Sequence, residues 1–296
     1  MIKVNDLSKG YGKKPVIENF SLCVNKGEIH GLIGENSAGK TTLIKCIVGL
    51  YRPDNGSVTL DGKDVYDSVE AKRRIAYISD IPDFVPFYSV KRMVSMYRNF
   101  YKDFNIDKFN ELNKQFDIPL KANAMMLSKG QKMRLNIMLE LSKGAEFVIM
   151  DEPTGGLDPI ARSKFFDMVI KEVEDNGTGI LISSHNLDGL EKICDTVTII
   201  KNGVMESNRT LDETKTGIKR VNAVFENGLP DEIKDMDNVC NITNTGKIYS
   251  FVAGNTEDGF EDKLKALGAS FTEIVELSLE DYFISLDLFE KKREVK

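Results

Sequence analysis

The chain has 296 residues, of which 41% are hydrophobic, 29% charged and 8% aromatic, a globular composition with room for one large domain or two smaller ones. This excludes a disordered chain, a collagen-like fibre and a small disulfide scaffold. Forty Lys and Arg against 46 Asp and Glu leave a net charge of −6, so the chain as a whole lacks the basic footprint of a nucleic-acid or anionic-lipid binder, and no nucleic-acid partner is expected.

No run approaches the about 18 consecutive apolar residues of a membrane span, and residues 1–6 lack the apolar core of a signal peptide; a cytoplasmic chain is expected. Cys23, Cys46, Cys194 and Cys240 stand far apart with no Cys-x-x-Cys pair and read as buried apolar residues or idle thiols. His30 and His185 are the only histidines, which argues against a histidine-based zinc site.

In chain order, strands are predicted at 2–7, 16–24, 28–33, 57–60, 75–79, 147–151, 179–183 and 196–201, and helices at 39–49, 89–102, 107–117, 129–142, 159–176 and 187–194. The alternation of short β-branched runs with helices marks an α/β domain with a largely parallel sheet. The first two strands and 57–60 read as an antiparallel subsheet, because Asn25-Lys26-Gly27 and Asp61-Gly62-Lys63 are turn chemistry. Residues 81–127 form a helical insert rich in Phe, Tyr and Met, including Phe84, Phe87, Tyr88, Met93, Met96, Tyr97, Phe100, Tyr101 and Phe104; two readings stay open, a subdomain core and, for part of it, a docking groove. At Lys201-Asn202-Gly203 the rhythm pauses, and 207–220 reads as polar and helical. Strands at 219–225, 247–252 and 271–275 with helices at 256–267 and 278–291 then suggest a small α+β appendage.

After the apolar strand Ile29-His30-Gly31-Leu32-Ile33 comes Gly34-Glu35-Asn36-Ser37-Ala38-Gly39-Lys40-Thr41-Thr42, then a helical run. This is G-x-x-x-x-G-K-[ST] in the strand-loop-helix context it requires. Backbone N–H groups and the positive helix end surround phosphates, Lys40 neutralises the β and γ charges, and the Thr41 hydroxyl is placed to ligate Mg²⁺. About 110 residues on, the run Phe147-Val148-Ile149-Met150 ends in Asp151-Glu152, two acids at the carboxyl end of a buried strand, where ligands bind. Asp151 can hold Mg²⁺ through water, and Glu152 can accept a proton from an attacking water.

With Pro153-Thr154-Gly155-Gly156-Leu157-Asp158 following and Leu127-Ser128-Lys129-Gly130-Gln131 preceding, residues 1–210 resemble the nucleotide-binding subunits of ABC (ATP-binding cassette) transporters. The resemblance implies an α/β fold of the P-loop NTPase type, with an antiparallel β-subdomain, a helical signature subdomain at about 81–145 and the appendage at 211–296. It implies ATP and Mg²⁺ as ligands, with Lys40, Glu152 and His185 catalytic and Thr41, Asp80 and Asp151 around the metal. Tyr11 matches the aromatic that stacks on adenine. Gly34, Glu35, Asn36, Ser37, Ala38, Gly39, Lys40, Thr41 and Thr42 hold the phosphates. Ser128, Gly130 and Gln131 match the signature that closes over ATP on an opposite cassette, and Asp158 matches the dimer-contacting aspartate.

Three positions depart from the family pattern. Ser37 and Lys129 stand where glycine is usual, and Asp80 stands where a metal-ligating glutamine is usual. The implied function is ATP hydrolysis in a homodimer or heterodimer of cassettes, peripheral on the inner face of the membrane and driving a separate multi-span permease. The appended tail resembles ABC-2 exporters of the bacitracin-resistance type, which implies export of drugs, peptides or lipid-linked compounds. A soluble cassette without a transport role, such as an iron–sulfur assembly type, and a catalytically weak regulatory cassette stay open as alternatives.

Overall fold

The computed structural model describes residues 1–254, 256 and 259–294 and divides into two compact units, Met1–Asn208 and Arg209–Lys296.

The first unit opens with β1 (Ile2–Tyr11) and β2 (Lys14–Val24), an antiparallel hairpin turned at Gly12 and Lys13. β3 (Ile29–Ile33) feeds α1 (Lys40–Ile47), and β4 (Asn55–Leu60) with β5 (Lys63–Asp64) completes an antiparallel sheet of order β2-β1-β4-β5. Asp61 and Gly62, both at positive φ, close the β4–β5 turn. The turn Asn25-Lys26-Gly27 does different work from the expected hairpin: it carries the chain from the antiparallel sheet into β3 of the central one.

After α2 (Val69–Arg73) come β6 (Ile75–Ile78), α3 (Val90–Phe100), α4 (Ile106–Phe116), α5 (Lys129–Leu141), β7 (Phe147–Asp151), α6 (Pro159–Asn176), β8 (Gly179–Ser183), α7 (Leu187–Glu191), β9 (Thr196–Lys201) and β10 (Val204–Thr210). The central sheet has the order β10-β9-β3-β8-β7-β6, with β9, β3, β8, β7 and β6 parallel. Every residue of β3, β7 and β8 is buried, which is why these strands read as unbroken apolar runs rather than alternating ones. Ile2, Leu7, Phe20, Leu43, Ile44, Ile47, Phe147, Ile149 and Leu181 join the antiparallel sheet, α1 and the central sheet in one core. No helix among the described residues is long and apolar enough to cross a membrane.

Each helix of the 81–145 subdomain begins at a side-chain cap, Ser89 for α3, Asn105 for α4 and Ser128 for α5. Its aromatic residues divide. Phe84 and Met93 are buried, and Tyr97, Tyr101, Phe104 and Phe109 form a run of ring contacts. Phe87 and Phe100 are exposed, as are Ile81 and Val85.

The helical expectation for 207–220 is wrong. Asn202 and Gly203 take positive φ and turn the chain into β10, a polar, poorly buried strand at the sheet edge. The helix is confined to α8 (Leu211–Thr216), started by a Thr210/Glu213 capping box.

The second unit then forms β11 (Ile218–Phe225), α9 (Asp231–Lys234), β12 (Val239–Thr245), β13 (Ile248–Gly254), α10 (Phe260–Ala266), β14 (Ala269–Glu276) and α11 (Leu279–Glu294). The sheet is antiparallel throughout, in the order β12-β13-β11-β14. Val221, Ala223, Phe225, Phe251 and Ala253 pack with Ile233 and Leu264 on one face. Cys240, Val252 and Leu277 pack with Leu288 and Phe289 of α11. The helix expected from Thr256 starts later, at Phe260, and Glu257 and Asp258 lie outside the described residues.

Candidate active site

The loop between β3 and α1 sits at the carboxyl ends of the parallel strands. Its glycines are dictated by space. A Cβ on Gly34 would meet the Ile200 carbonyl oxygen at 2.4 Å, and Gly39, at φ 106°, would press one against Ile17 Cδ1 at 2.5 Å. Gly39 ends the loop without a side-chain cap, so the first N–H groups of α1 lack an intrahelical partner and point at the loop. Ser37 adopts φ 70°, the left-handed geometry that glycine takes freely and serine does not, and its hydroxyl donates to the Asn36 carbonyl.

Lys40 is buried, and its ammonium donates to the carbonyls of Gly34 at 2.7 Å and Glu35 at 3.1 Å. Burial pulls its pKa below the ordinary lysine value, opposed by the charges of Glu152 and Asp151; Glu152 Oε1 lies 3.9 Å from Nζ. Tyr11 is half exposed, edge-on to Tyr51 at 6.3 Å between centroids, with its hydroxyl 3.4 Å from Thr42 Oγ1.

Asp151 is the last residue of β7 and stands opposite Ser183 of β8. The Ser183 hydroxyl donates to Asp151 Oδ1 at 2.7 Å, while the buried Oδ2 has no hydrogen-bond partner. Burial pushes the Asp151 pKa up, opposed by the Ser183 hydrogen bond and the nearby Thr41 hydroxyl and reinforced by the charges of Asp80 and Glu152. A buried carboxylate with one unpartnered oxygen is a donor for a divalent cation, but no group of three His, Cys, Asp or Glu side chains among the described residues could hold a metal by itself, so phosphate or water oxygens would complete its shell.

Glu152 follows at φ 47°, a strained value for a non-glycine residue of the kind found at functional sites. Its N–H donates to the Ser183 carbonyl at 3.1 Å. Its Oε2 accepts from the His185 N–H at 3.3 Å and lies 2.7 Å from His185 Nδ1. Glu152 thus lies in contact with Lys40 on one side and His185 on the other.

The signature residues form a second group. The Ser128 hydroxyl accepts from the Gln131 N–H at 3.3 Å, and Gln131 Oε1 accepts from the Ser128 N–H at 3.0 Å, a complete capping box. A Cβ on Gly130 would lie 2.8 Å from the Gly156 carbonyl oxygen, and the Lys129 stem runs over Gly156. Asp158 accepts from the Ala161 N–H at 2.8 Å, capping α6, and from Arg134 at 2.6 Å.

Comparison with known proteins bears on this arrangement. Residues 17–155 match the ABC transporter family. Over 308 aligned residues the chain is 30% identical to the bacitracin transport ATP-binding protein BcrA of Bacillus licheniformis, covering 97% of each. The chain belongs to the ATP-binding subunits of ABC transporters. It is 28% identical to the ABC transporter ATP-binding protein YtrB of Bacillus subtilis, over 96% of this chain and 97% of that one. A solved ATP-binding subunit of an ABC transporter superposes with a TM-score of 0.68 at 31% identity, over 73% of this chain and 92% of its own. The bacterial ABC transporter cassette MJ0796, at 21% identity and a TM-score of 0.65, shares the fold.

This ABC subunit is an ATPase. Sequence reading missed three residues around its site: Ser183, Arg134 and Tyr51. Ser183 had a signal, since pairing the two apolar strands in register sets the last residue of each face to face. Arg134 and Tyr51 reach Asp158 and Tyr11 through tertiary packing that sequence spacing does not encode.

Proposed function

We propose that the Glu152–His185–Lys40 constellation at the strand ends is the hydrolytic centre, and this one observation carries the reading. Gly34 to Thr42 would hold the triphosphate through backbone donors, and Lys40 would exchange its loop carbonyls for the β and γ oxygens. Thr41 and Asp151, with Asp80 beside them, would hold Mg²⁺, which when bound neutralises phosphate charge. Glu152 accepts the proton of the attacking water, and His185, held by Glu152, orients the γ-phosphate side. Tyr11 stacks on the adenine. Ser128, Gly130 and Gln131 of a second cassette close over the γ-phosphate, with Asp158 at the dimer contact, so ATP joins two cassettes whose opening and closing is the mechanical output.

The partner is a multi-span membrane permease, with this chain peripheral on its cytoplasmic side. The exposed Ile81, Val85 and Phe87 beside Asp80 supply an apolar contact for it. Export is the favoured direction. BcrA, named for bacitracin transport, matches along the whole chain, tail included, and the SkfA peptide export protein SkfE of Bacillus subtilis is 32% identical over 69% of this chain. The ribose importer RbsA of Bacillus licheniformis matches over 72% of this chain but only 45% of its own length.

Glu152→Gln tests the centre. Turnover should fall by about 10²-fold or more, with ATP affinity retained and an ATP-dependent dimer accumulating on size-exclusion chromatography. Turnover equal to that of the unmodified chain overturns the role given to Glu152. Co-purification with a multi-span membrane protein tests the partner.

A further inference from the structure

β6 is the outermost strand of the central sheet, paired with β7 along one edge only. A free sheet edge leaves backbone donors and acceptors in need of partners. Here two side chains supply them. Glu140 Oε2 accepts from the Tyr77 N–H at 3.0 Å, and Lys143 Nζ donates to the Ile75 carbonyl at 2.8 Å. The carboxylate and ammonium, 3.6 Å apart, thus occupy the places of the next strand's C=O and N–H. Glu140 and Lys143 are each only 7% exposed. The second Glu140 oxygen accepts from the Tyr97 hydroxyl of α3 at 2.8 Å, and the Lys143 ammonium lies 4.4 Å from the Tyr101 ring centre.

A buried ion pair is weak as a source of net stability, since desolvation offsets most of its attraction, but it fixes geometry. What it fixes follows from chain order. β6 ends at Ile78, two residues before Asp80, and Glu140 lies on the helix that begins at the Ser128 cap. Ile78 stands opposite Met150 in the β6–β7 ladder, so the chain leaves β6 toward Asp80 alongside Asp151, the last residue of β7.

We propose that Glu140 and Lys143 are positioning residues: clamped to the free edge of β6, they hold the strand that leads to Asp80 against α5 and keep that carboxylate in place beside Asp151. The inference rests on the reading of Asp80 as a metal-side group.

The test uses full-length Glu140→Ala, Lys143→Met and Tyr97→Phe, with Asp80→Asn as the reference. Three quantities are read: the affinity for a fluorescent ATP analogue with and without Mg²⁺, amide exchange at Tyr77, and the melting temperature. Glu140→Ala should speed Tyr77 exchange by about tenfold, as expected for one lost buried hydrogen bond. It should also cut the Mg²⁺ enhancement of ATP affinity several-fold, with the Mg²⁺-free affinity unchanged. Tyr97→Phe, which deletes one hydroxyl and should fold normally, moves both readouts the same way by less. A Mg²⁺ response equal to wild type in Glu140→Ala and Tyr97→Phe, beside a shifted one in Asp80→Asn, overturns the clamp. An unshifted response in Asp80→Asn overturns the reading of Asp80, and the role given to the clamp falls with it.

Discussion

Two helix N-termini face anions in the proposed mechanism, α1 at Lys40 and α5 at Lys129, and they are held by different means. The first has no side-chain cap, and its loop is set by a fully buried strand and by glycines with no room for a Cβ. Its donors are left for the ligand. The second is closed by its own capping box, seated on the 154–158 loop by Gly130 and the Lys129 stem, and tied to Asp158 by Arg134. In the proposed mechanism, a terminus with open donors on a rigid frame would bind phosphate by itself, and one whose donors are partly met within its own chain would engage only when a partner brings a phosphate to it.

The comparison breaks most readily at Lys40. Removing the ammonium with Lys40→Met should reduce ATP affinity and turnover together, turnover by about 10²–10³-fold, the magnitude of losing one preorganised charge at a transition state. Calorimetric titration and steady-state hydrolysis read both; turnover within tenfold of wild type sinks the assignment.

Ser128→Ala sharpens the other half. It removes the α5 cap, which costs about 1 kcal/mol, or about 2–4 °C in melting temperature. The single chain should bind ATP as before, while the ATP-dependent dimer of the Glu152→Gln background is lost. Equal loss of both properties would erase the distinction between the two termini.

The two halves also differed in how far the sequence revealed them. The phosphate side was legible because its strands are buried on both faces and read as apolar runs, and because Gly34, Gly39 and Lys40 are needed for reasons local to the chain. α6 was legible to the residue, from Asp158 and Pro159 at its start to Gly177 past its end. The signature side depends on pairs brought together by packing: Arg134 with Asp158, Glu140 with Tyr77, and Lys143 with Ile75. No periodicity marks those pairs. β10 and β12 were missed for a plainer reason, since their polar sequences alternate weakly and much of each strand faces solvent.

Acid acts on a contact at the start of β6 and β7, the two strands that lead to Asp80 and Asp151. Arg74, just before β6, donates to both oxygens of Glu146, just before β7, and to Asp61. The Arg74 hydrogen bonds, with the Lys26 ammonium also on Glu146, hold the Glu146 pKa down, from 4.5 to about 2. A depressed carboxyl binds its proton less tightly in the folded state, so the stability it contributes is present above the ordinary value and lost as pH falls through the folded one. Between about pH 4.5 and 2 the fold should weaken. Glu146→Gln should remove that part of the pH dependence at a cost of about 1 kcal/mol at neutral pH. Circular dichroism melts across this range check it; an unchanged acid profile in the variant removes Arg74–Glu146 as the cause.

The smallest effect is expected at Ser37, inside the half that is otherwise built for its task. Its φ of 70° costs a non-glycine residue about 1–2 kcal/mol. Glycine relieves that strain but loses about 0.5–1 kcal/mol of its own in ordering a freer backbone. The Ser37 hydroxyl also donates to Asn36, a bond that glycine gives up. These terms nearly cancel, so Ser37→Gly should change stability by less than about 1 kcal/mol. Ser37→Val separates the terms, because a β-branched residue is a poorer fit to positive φ and lacks the hydroxyl. It should lower both the melting temperature and ATP affinity, whereas Ser37→Gly leaves ATP affinity within about twofold of wild type, or under 0.5 kcal/mol. If Ser37→Gly instead weakens ATP binding tenfold, the serine hydroxyl is itself part of the phosphate site, and the loop binds through a side chain as well as through its backbone.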